Sequence, residues 1–245
     1  MRWTFYFKKV DLSLKINSVI TIFPRSIRRV ICKFIYVRKV MLDISISVKS
    51  LLKKDPKLQA LFYDPLIENL YPESNYFQSI VRSIVYQQLT SKSAKKIHER
   101  LINLFKLSKY PDPKDVINTP KEKLKSVGLS YMKADYIKNV ASYFMDNPKV
   151  IATLDQKTDA EIIKLFSSIK GVGVWTAQMF LIFTLNRPDV FPVTDLALQK
   201  GYAAFYKKKN LVDLKKMIDR CKAWIPHRTT MSLYFWRYLE GPFEW

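Results

Sequence analysis

The chain has few cysteines and few glycines, and it lacks long hydrophobic runs. Two cysteines, Cys32 and Cys221, are too few for a disulfide framework, a zinc site or a thiolate-held iron–sulfur cluster. No apolar run approaches the roughly 20 residues that span a bilayer. Alternation of apolar and polar residues is scarce, which argues against a β-sheet. Of only five glycines, two, Gly171 and Gly173, lie two positions apart, which marks a stretch of backbone with a special conformation.

Acidic residues are half as frequent as basic ones. The chain has 42 Lys and Arg against 21 Asp and Glu, a formal net charge of +21. Such an excess favours nucleic acid as the partner, because its phosphates attract a strongly basic chain. Residues 1–40 carry +9 of this charge. We interpret them as a transit peptide, a DNA-binding arm or a mis-assigned start before Met41, and the sequence leaves the three interpretations open.

Residues 41–245 are predicted to form an all-α domain. Apolar side chains at positions 77, 80, 81, 84 and 85 have the spacing of a helix buried on one face. Ser130 is suited to cap a helix over residues 131–144. With 48% hydrophobic residues, the domain can bury a sizeable core, and we expect two helical lobes with a cleft between them. Further helices are predicted over residues 42–53, 159–166, 196–206, 211–221 and 229–240.

A glycine hairpin, Ile169-Lys170-Gly171-Val172-Gly173, separates two predicted helices. Glycine permits a positive φ and lets another body approach the backbone closely. The first N–H groups of the following helix carry a partial positive charge, and this arrangement attracts phosphate. The alternative is an ordinary tight turn between two packed helices, and the hairpin alone does not decide between them.

A single acid, Asp195, begins the predicted helix over residues 196–206 and follows Phe191-Pro192-Val193-Thr194. Aspartate at this position most often caps the helix. If the same position lies in a cleft, it holds a carboxylate in a fixed orientation, which can stabilise positive charge that develops in a reaction. Both roles stay open at this point.

Taken in order, these motifs resemble the helix-hairpin-helix superfamily of DNA glycosylases, in its alkyladenine branch, the 3-methyladenine DNA glycosylase II type. The resemblance leaves out residues 1–40 and lacks the β-rich N-terminal domain that some members carry. It implies an all-α fold in which a Gly/Pro-rich loop and a catalytic aspartate follow the hairpin. The matching segments are Phe77–Ile84 with Gln87–Leu89, Gly128–Ala134, Ile169–Ala177, Arg187–Leu198 and Trp224–Arg237.

The resemblance implies a monofunctional DNA glycosylase of base excision repair. Such an enzyme flips a damaged base out of the duplex and hydrolyses its N-glycosidic bond, and the expected substrates are 3-methyladenine and, second, 7-methylguanine. Asp195 falls on the catalytic aspartate of the family. A same-fold glycosylase for deaminated or mismatched bases, or a non-catalytic protein that binds damaged DNA, remains an alternative.

The resemblance also assigns candidate site residues. For the base pocket they are Trp175 and Trp236, with Tyr234 and Tyr238 close in sequence. Leu89 is the first candidate for the wedge that fills the gap left by the flipped base, and each of these side chains could instead be core packing. The remaining candidates for contact with DNA are Gln88, Thr90, Lys92, Lys133, Lys170, Gly171, Gly173 and Thr176.

Bifunctional relatives carry a nucleophilic lysine where this chain has Trp175, so no Schiff base and no strand cleavage are expected. The resemblance implies no required cofactor and no catalytic metal, although a monovalent cation bound by the hairpin carbonyls is compatible with it. The expected partner is double-stranded DNA with damaged bases. The chain is expected to act as a monomer, without a membrane, in an intracellular compartment that contains DNA.

Overall fold

The computed structural model describes residues 41–63, 67–105 and 110–241, which belong to one compact unit of the chain, Val40–Trp245. Within these ranges the backbone forms twelve α-helices and three short 3₁₀ helices, and the one extended pairing is an isolated antiparallel bridge between Leu42 and Leu70. The prediction of an all-α fold is confirmed. The predicted leader, residues 1–40, lies outside the described residues.

The helices have the following bounds in chain order, with the 3₁₀ helices at Pro56–Ala60, Leu154–Gln156 and Lys222–Trp224. They are α1 (Ile44–Lys54), α2 (Tyr76–Tyr86), α3 (Ser91–Leu104), α4 (Pro113–Asn118), α5 (Lys121–Ser126), α6 (Tyr131–Asp146), α7 (Pro148–Ile151), α8 (Asp159–Ser167), α9 (Val174–Phe183), α10 (Leu196–Phe205), α11 (Leu214–Cys221) and α12 (Arg228–Glu240). None of the described helices is long and apolar enough to cross a bilayer.

Side-chain caps decide where several helices begin. The Ser130 hydroxyl accepts from the Lys133 backbone N–H, so α6 begins where the sequence predicts it. The eleventh helix was predicted from Leu211, but it begins at Leu214 because the Asp213 carboxylate accepts from the Lys216 N–H. Periodicity predicts that a helix exists, whereas the cap determines its first residue.

Two sets of helices pack among themselves. In one set α6 packs against α2, α4 and α5, and α9 packs against α2 and α8. In the other, α12 packs against α10 and α1. This grouping is compatible with the two predicted lobes, and the division into lobes stays a prediction.

The helices α10 and α12 cross at very short range. Gly201 of α10 is buried against the backbone of Phe235, and a Cβ built on Gly201 would lie 2.0 Å from the Phe235 carbonyl oxygen. No side chain larger than hydrogen can occupy this crossing without moving one helix. The crossing sets the distance between the N-terminus of α10, where Asp195 lies, and Trp236, the residue that follows Phe235.

The loop before α10 is tied to the start of α12. The Arg228 guanidinium donates to both carboxylate oxygens of Asp189, at 2.7 and 2.8 Å. The Thr229 hydroxyl donates to the Arg187 carbonyl at 2.5 Å and accepts from the Val190 N–H at 3.0 Å. A bidentate arginine–carboxylate pair is directional, so the loop that leads to Asp195 is fixed to α12 as well.

Replacing Gly201 with Ala should separate α10 from α12. The added methyl group overlaps backbone, which cannot rotate away, and we expect the free energy of unfolding to fall by about 1–3 kcal/mol. Gly173→Ala is the matched control, because a Cβ at Gly173 meets no atom within 4 Å. Denaturant titration of both variants measures the difference. A Gly201→Ala protein as stable as the control would contradict the close crossing.

Candidate active site

The carboxylate of Asp195 accepts hydrogen bonds from two tryptophan side chains. Trp175 lies in the first turn of α9, and its indole N–H donates to Oδ2 of Asp195 at 2.6 Å. Trp236 lies on α12, and its indole N–H donates to Oδ1 at 2.9 Å. Residues that are 20 and 41 positions away in sequence therefore meet at one side chain.

Asp195 also caps its own helix. The Leu198 backbone N–H donates to Oδ1 at 2.6 Å, and Asp195 is the N-cap of α10. Of the two roles that the sequence left open, capping is thus observed, and the catalytic role of the same side chain stays a prediction. A carboxylate offers roughly four acceptor positions. The three donors occupy two on Oδ1 and one on Oδ2, which leaves the last position on Oδ2 for a ligand or a water molecule.

Asp195, Trp175 and Trp236 line a cleft between the two sets of helices. Asp195 and Trp175 are both partly exposed there. Trp236 is only 4% exposed and stacks on Phe183, with ring centroids 6.0 Å apart. The larger free aromatic surface is therefore that of Trp175. The full lining comprises Tyr86, Leu89, Ser91, Trp175, Met179, Asp195, Ala197, Trp236 and Glu240.

The two tyrosines predicted for the pocket lie elsewhere. Tyr234 is fully buried, its ring meets Phe62 edge-on at 4.7 Å, and its hydroxyl accepts from the Ile67 N–H. A side chain without exposed surface cannot contact a base, so the prediction for Tyr234 is corrected to core packing. Tyr238 is exposed, packs against Phe205 and is not part of the cleft lining.

The loop between α2 and α3 brings Leu89 to the rim of the cleft. Leu89 is 41% exposed although it is a large apolar side chain, and it lines the cleft. Gln88 before it is exposed and has a φ of 56°, a left-handed conformation that is uncommon outside glycine. Thr90 is the N-cap of α3, and its hydroxyl accepts from the Ser93 N–H at 3.4 Å. Insertion of any of these side chains into DNA stays a prediction.

Two residues predicted to contact DNA are engaged inside the protein. The ammonium group of Lys133 donates to the carbonyls of Val85 and Gln87, at 2.8 and 2.7 Å, and burial lowers the pKa of Lys133. The Thr176 hydroxyl accepts from the Gln87 side chain at 3.0 Å, and Thr176 is 1% exposed. Lys133 thus binds the carbonyl end of α2, and its contact with a phosphate stays a prediction. Buried Thr176 braces the loop from within.

The amide of Gln87 joins the α2–α3 loop to the glycine hairpin. Its Nε2 donates to the Gly171 carbonyl at 3.1 Å as well as to Thr176. Lys133 donates to the backbone carbonyl of the same glutamine. A single hydrogen-bond network therefore connects α6, the α2–α3 loop and the hairpin. From the sequence, Gln87 is only the first residue of the matching segment Gln87–Leu89, because its hydrogen-bond partners lie 84 and 89 positions away.

The hairpin itself requires its first glycine. Gly171 has a φ of 99°, and a Cβ there would lie 2.0 Å from the ring of Tyr136. Asn139 also donates to the Lys170 carbonyl, so α6 supports the hairpin at two points. Gly173, in contrast, has open space on its outer side. The exposed side chains of Lys170 and Lys92 are free of these internal roles, and their contact with phosphate stays a prediction.

Five residues of the lining were not singled out from the sequence: Tyr86, Ser91, Met179, Ala197 and Glu240. A periodic signal was available for two of them. Met179 lies four residues after Trp175, and Glu240 lies four residues after Trp236, so each shares a helix face with its tryptophan. Within the described ranges, no group of three or more His, Cys, Asp or Glu side chains is placed to hold a metal ion.

Replacing Lys133 with Met should destabilise the protein by about 1–3 kcal/mol, because two carbonyls would lose a charged donor in a half-buried position. Lys92→Met, at an exposed position on α3, is the control for the loss of one positive charge. Denaturant titration gives the free energies. Equal stability of the two variants would contradict the bracing role of Lys133.

Comparison with known proteins agrees with this architecture. Residues 81–227 match the family described as HhH-GPD superfamily base excision DNA repair protein. The chain is similar to DNA-3-methyladenine glycosylase 1 of Schizosaccharomyces pombe, 29% identical over 164 residues, 66% of this chain and 71% of the relative. It is 30% identical to the DNA-3-methyladenine glycosylase of Saccharomyces cerevisiae over 191 residues, 72% of this chain and 64% of that relative.

The fold has a close structural counterpart. A solved structure of Schizosaccharomyces pombe 3-methyladenine DNA glycosylase in complex with abasic DNA superposes with a TM-score of 0.71 at 25% identity and covers 82% of this chain and 99% of that one. The family match extends over more than half of the chain and includes the hairpin, the α2–α3 loop and Asp195. The chain therefore belongs to the HhH-GPD superfamily of base excision DNA repair proteins.

Proposed function

We propose that the protein is a monofunctional DNA glycosylase that excises alkylated purines, 3-methyladenine first and 7-methylguanine second, from double-stranded DNA. The observation that carries this proposal is the Asp195 carboxylate, which three N–H groups hold at the wall of a cleft lined by Trp175. The relatives named as 3-methyladenine glycosylases and the neighbour bound to abasic DNA support the choice of substrate and partner.

The carboxylate suits the bond that must break. As the C1′–N bond lengthens, the base leaves with the bonding electron pair and the sugar gains oxocarbenium character. A fixed carboxylate stabilises that charge without having to reorient. The remaining acceptor position on Oδ2 of Asp195 can bind the attacking water. The water oxygen then bonds to C1′, and its proton passes to the carboxylate and on to solvent.

The cleft can hold a flipped base. Alkylation at a ring nitrogen makes a purine cationic and weakens its pairing, which lowers the cost of flipping. The partly exposed face of Trp175 can stack on the cationic base, an interaction worth roughly 0.5–2 kcal/mol. Leu89 at the rim can fill the gap that the base leaves in the duplex.

The same cleft offers no amine nucleophile. Trp175 stands where bifunctional relatives carry lysine, and no lysine occurs among the described residues of the lining. A Schiff base with the sugar needs an uncharged amine within reach. We therefore infer hydrolysis without strand cleavage. Borohydride trapping of a covalent DNA adduct would overturn this inference.

The DNA backbone is expected at the hairpin. Gly173 leaves open space beside the N-terminus of α9, whose first N–H groups can bind a phosphate. Exposed Lys170 and Lys92, together with the net charge of +21, favour the same partner. We further infer action as a monomer without a required cofactor, with a monovalent cation at the hairpin carbonyls as an accessory ligand.

Replacing Asp195 with Asn should lower the release of 3-methyladenine from alkylated duplex DNA by roughly 100-fold or more and should leave DNA binding in place. Asparagine puts an N–H₂ group or an uncharged carbonyl opposite Trp175, so the geometry changes as well. Trp236→Phe is the control that removes one hydrogen bond to the carboxylate, keeps its charge and leaves the exposed face of Trp175 in place. A loss of release as large in the control as in Asp195→Asn would assign the effect to geometry and not to the charge.

Replacing Leu89 with Ala should slow base release about tenfold, which corresponds to about 1.4 kcal/mol of lost apolar contact inside the duplex. The control is Leu211→Ala, a leucine of similar exposure outside the cleft lining. Fluorescence of 2-aminopurine next to the lesion reports flipping separately from chemistry. Unchanged fluorescence and release in Leu89→Ala would move the wedge role to Gln88 or Thr90.

A further inference from the structure

The cleft contains a second carboxylate that the mechanism above does not use. Glu240 is the last residue of α12 and lines the same cleft as Asp195. It lies four residues after Trp236, which places the two side chains on one face of the helix. Since Trp236 reaches Asp195, the next turn of that face continues along the cleft wall.

The cleft lining is acidic, although the chain as a whole is strongly basic. Basic residues outnumber acidic ones two to one in the sequence. The described lining nevertheless has two charged residues, both acidic, and no lysine or arginine. A surface built only to attract DNA would favour the opposite sign, since each carboxylate near the duplex repels phosphates. The acidic cleft is therefore a local feature that the general attraction to DNA does not explain.

A stabilising effect on α12 does not explain why a carboxylate occupies position 240 either. An anion in the last turn of a helix faces the negative end of the helix dipole, where a cation is favoured. The side chain is exposed, so its carboxylate makes no contribution to the buried core. The feature of Glu240 that points to a role is its position in the cleft lining, beside the place where a flipped base would enter.

We propose that Glu240 is a specificity-determining residue that favours cationic alkylated purines over neutral bases, an inference that rests on the proposed glycosylase function. A purine alkylated at a ring nitrogen carries a positive charge in the bound state, and a carboxylate in the cleft attracts it. Hypoxanthine and other neutral lesions lack that charge. Glu240 thus adds the attraction of a full negative charge to the weaker preference for cations that the electron-rich face of Trp175 provides.

The charge argument also predicts which kinetic constant changes. The total charge of base and sugar is the same in the bound substrate and in the transition state, because the positive charge moves from the base towards the sugar. Glu240 therefore stabilises both to a similar degree. Such an interaction lowers KM and leaves kcat nearly unchanged. This separates Glu240 from Asp195, whose loss should act on kcat.

The test compares Glu240→Gln with the native enzyme and with Glu99→Gln, which removes an exposed carboxylate of α3 outside the cleft lining. Duplexes with one 7-methylguanine give kcat and KM. A duplex with hypoxanthine at the same position gives Ki as a competitor, whether or not it is cleaved. For Glu240→Gln we expect KM to rise about fivefold, the upper range for an exposed charge pair, with kcat within about twofold and Ki no weaker.

Each outcome has one meaning. A KM that does not rise in Glu240→Gln, or that rises together with Ki, overturns the specificity role. An equal effect in Glu99→Gln assigns the change to the net charge of the protein and overturns it as well. Native protein that releases no 7-methylguanine and no 3-methyladenine overturns the proposed function first, and the inference with it. Thermal unfolding midpoints of the three proteins check that each variant is folded.

Discussion

Three N–H groups from three helices donate to the carboxylate of Asp195. The packing of these helices against one another positions the three donors. The indole of Trp175 comes from α9, that of Trp236 from α12, and the backbone N–H of Leu198 from α10 itself. The contact at Gly201 sets the distance between α10 and α12. A carboxylate oriented in this way needs no rearrangement when positive charge develops beside it.

The α2–α3 loop and the glycine hairpin form a second unit, which is held together by Gln87 and Lys133. A loop that enters a duplex must resist the force needed to separate stacked bases. Lys133 fixes the carbonyl end of α2, and the Gln87 amide binds the hairpin carbonyl and the buried Thr176 hydroxyl. The surfaces predicted to bind the DNA backbone and to fill the gap therefore keep one relative position.

The sequence predicted the helices, the hairpin and Asp195 because each depends on local patterns: apolar periodicity, glycine spacing and a capping acid. It placed Tyr234 in the pocket because residues close to Trp236 in sequence were taken to share its surface. On α12, Tyr234 and Trp236 point to different sides, so one is in the core and the other reaches Asp195. The partners of Gln87 and Lys133 lie at least 46 residues away, and no local pattern encodes such pairs.

The two carboxylates of the cleft, Asp195 and Glu240, carry the same charge but differ in how firmly the protein holds them. Asp195 is held by three donors and is partly covered, so its orientation is fixed and it can act at a single atom of the sugar. Glu240 is exposed at a helix end, so it acts through its field over a wider region and selects by charge alone. In this proposal the fixed carboxylate of Asp195 acts in the reaction, and the exposed carboxylate of Glu240 acts in substrate binding. Glu240 lies beyond residue 227, where the family match ends, so the role proposed for it rests on the geometry and charge of this cleft.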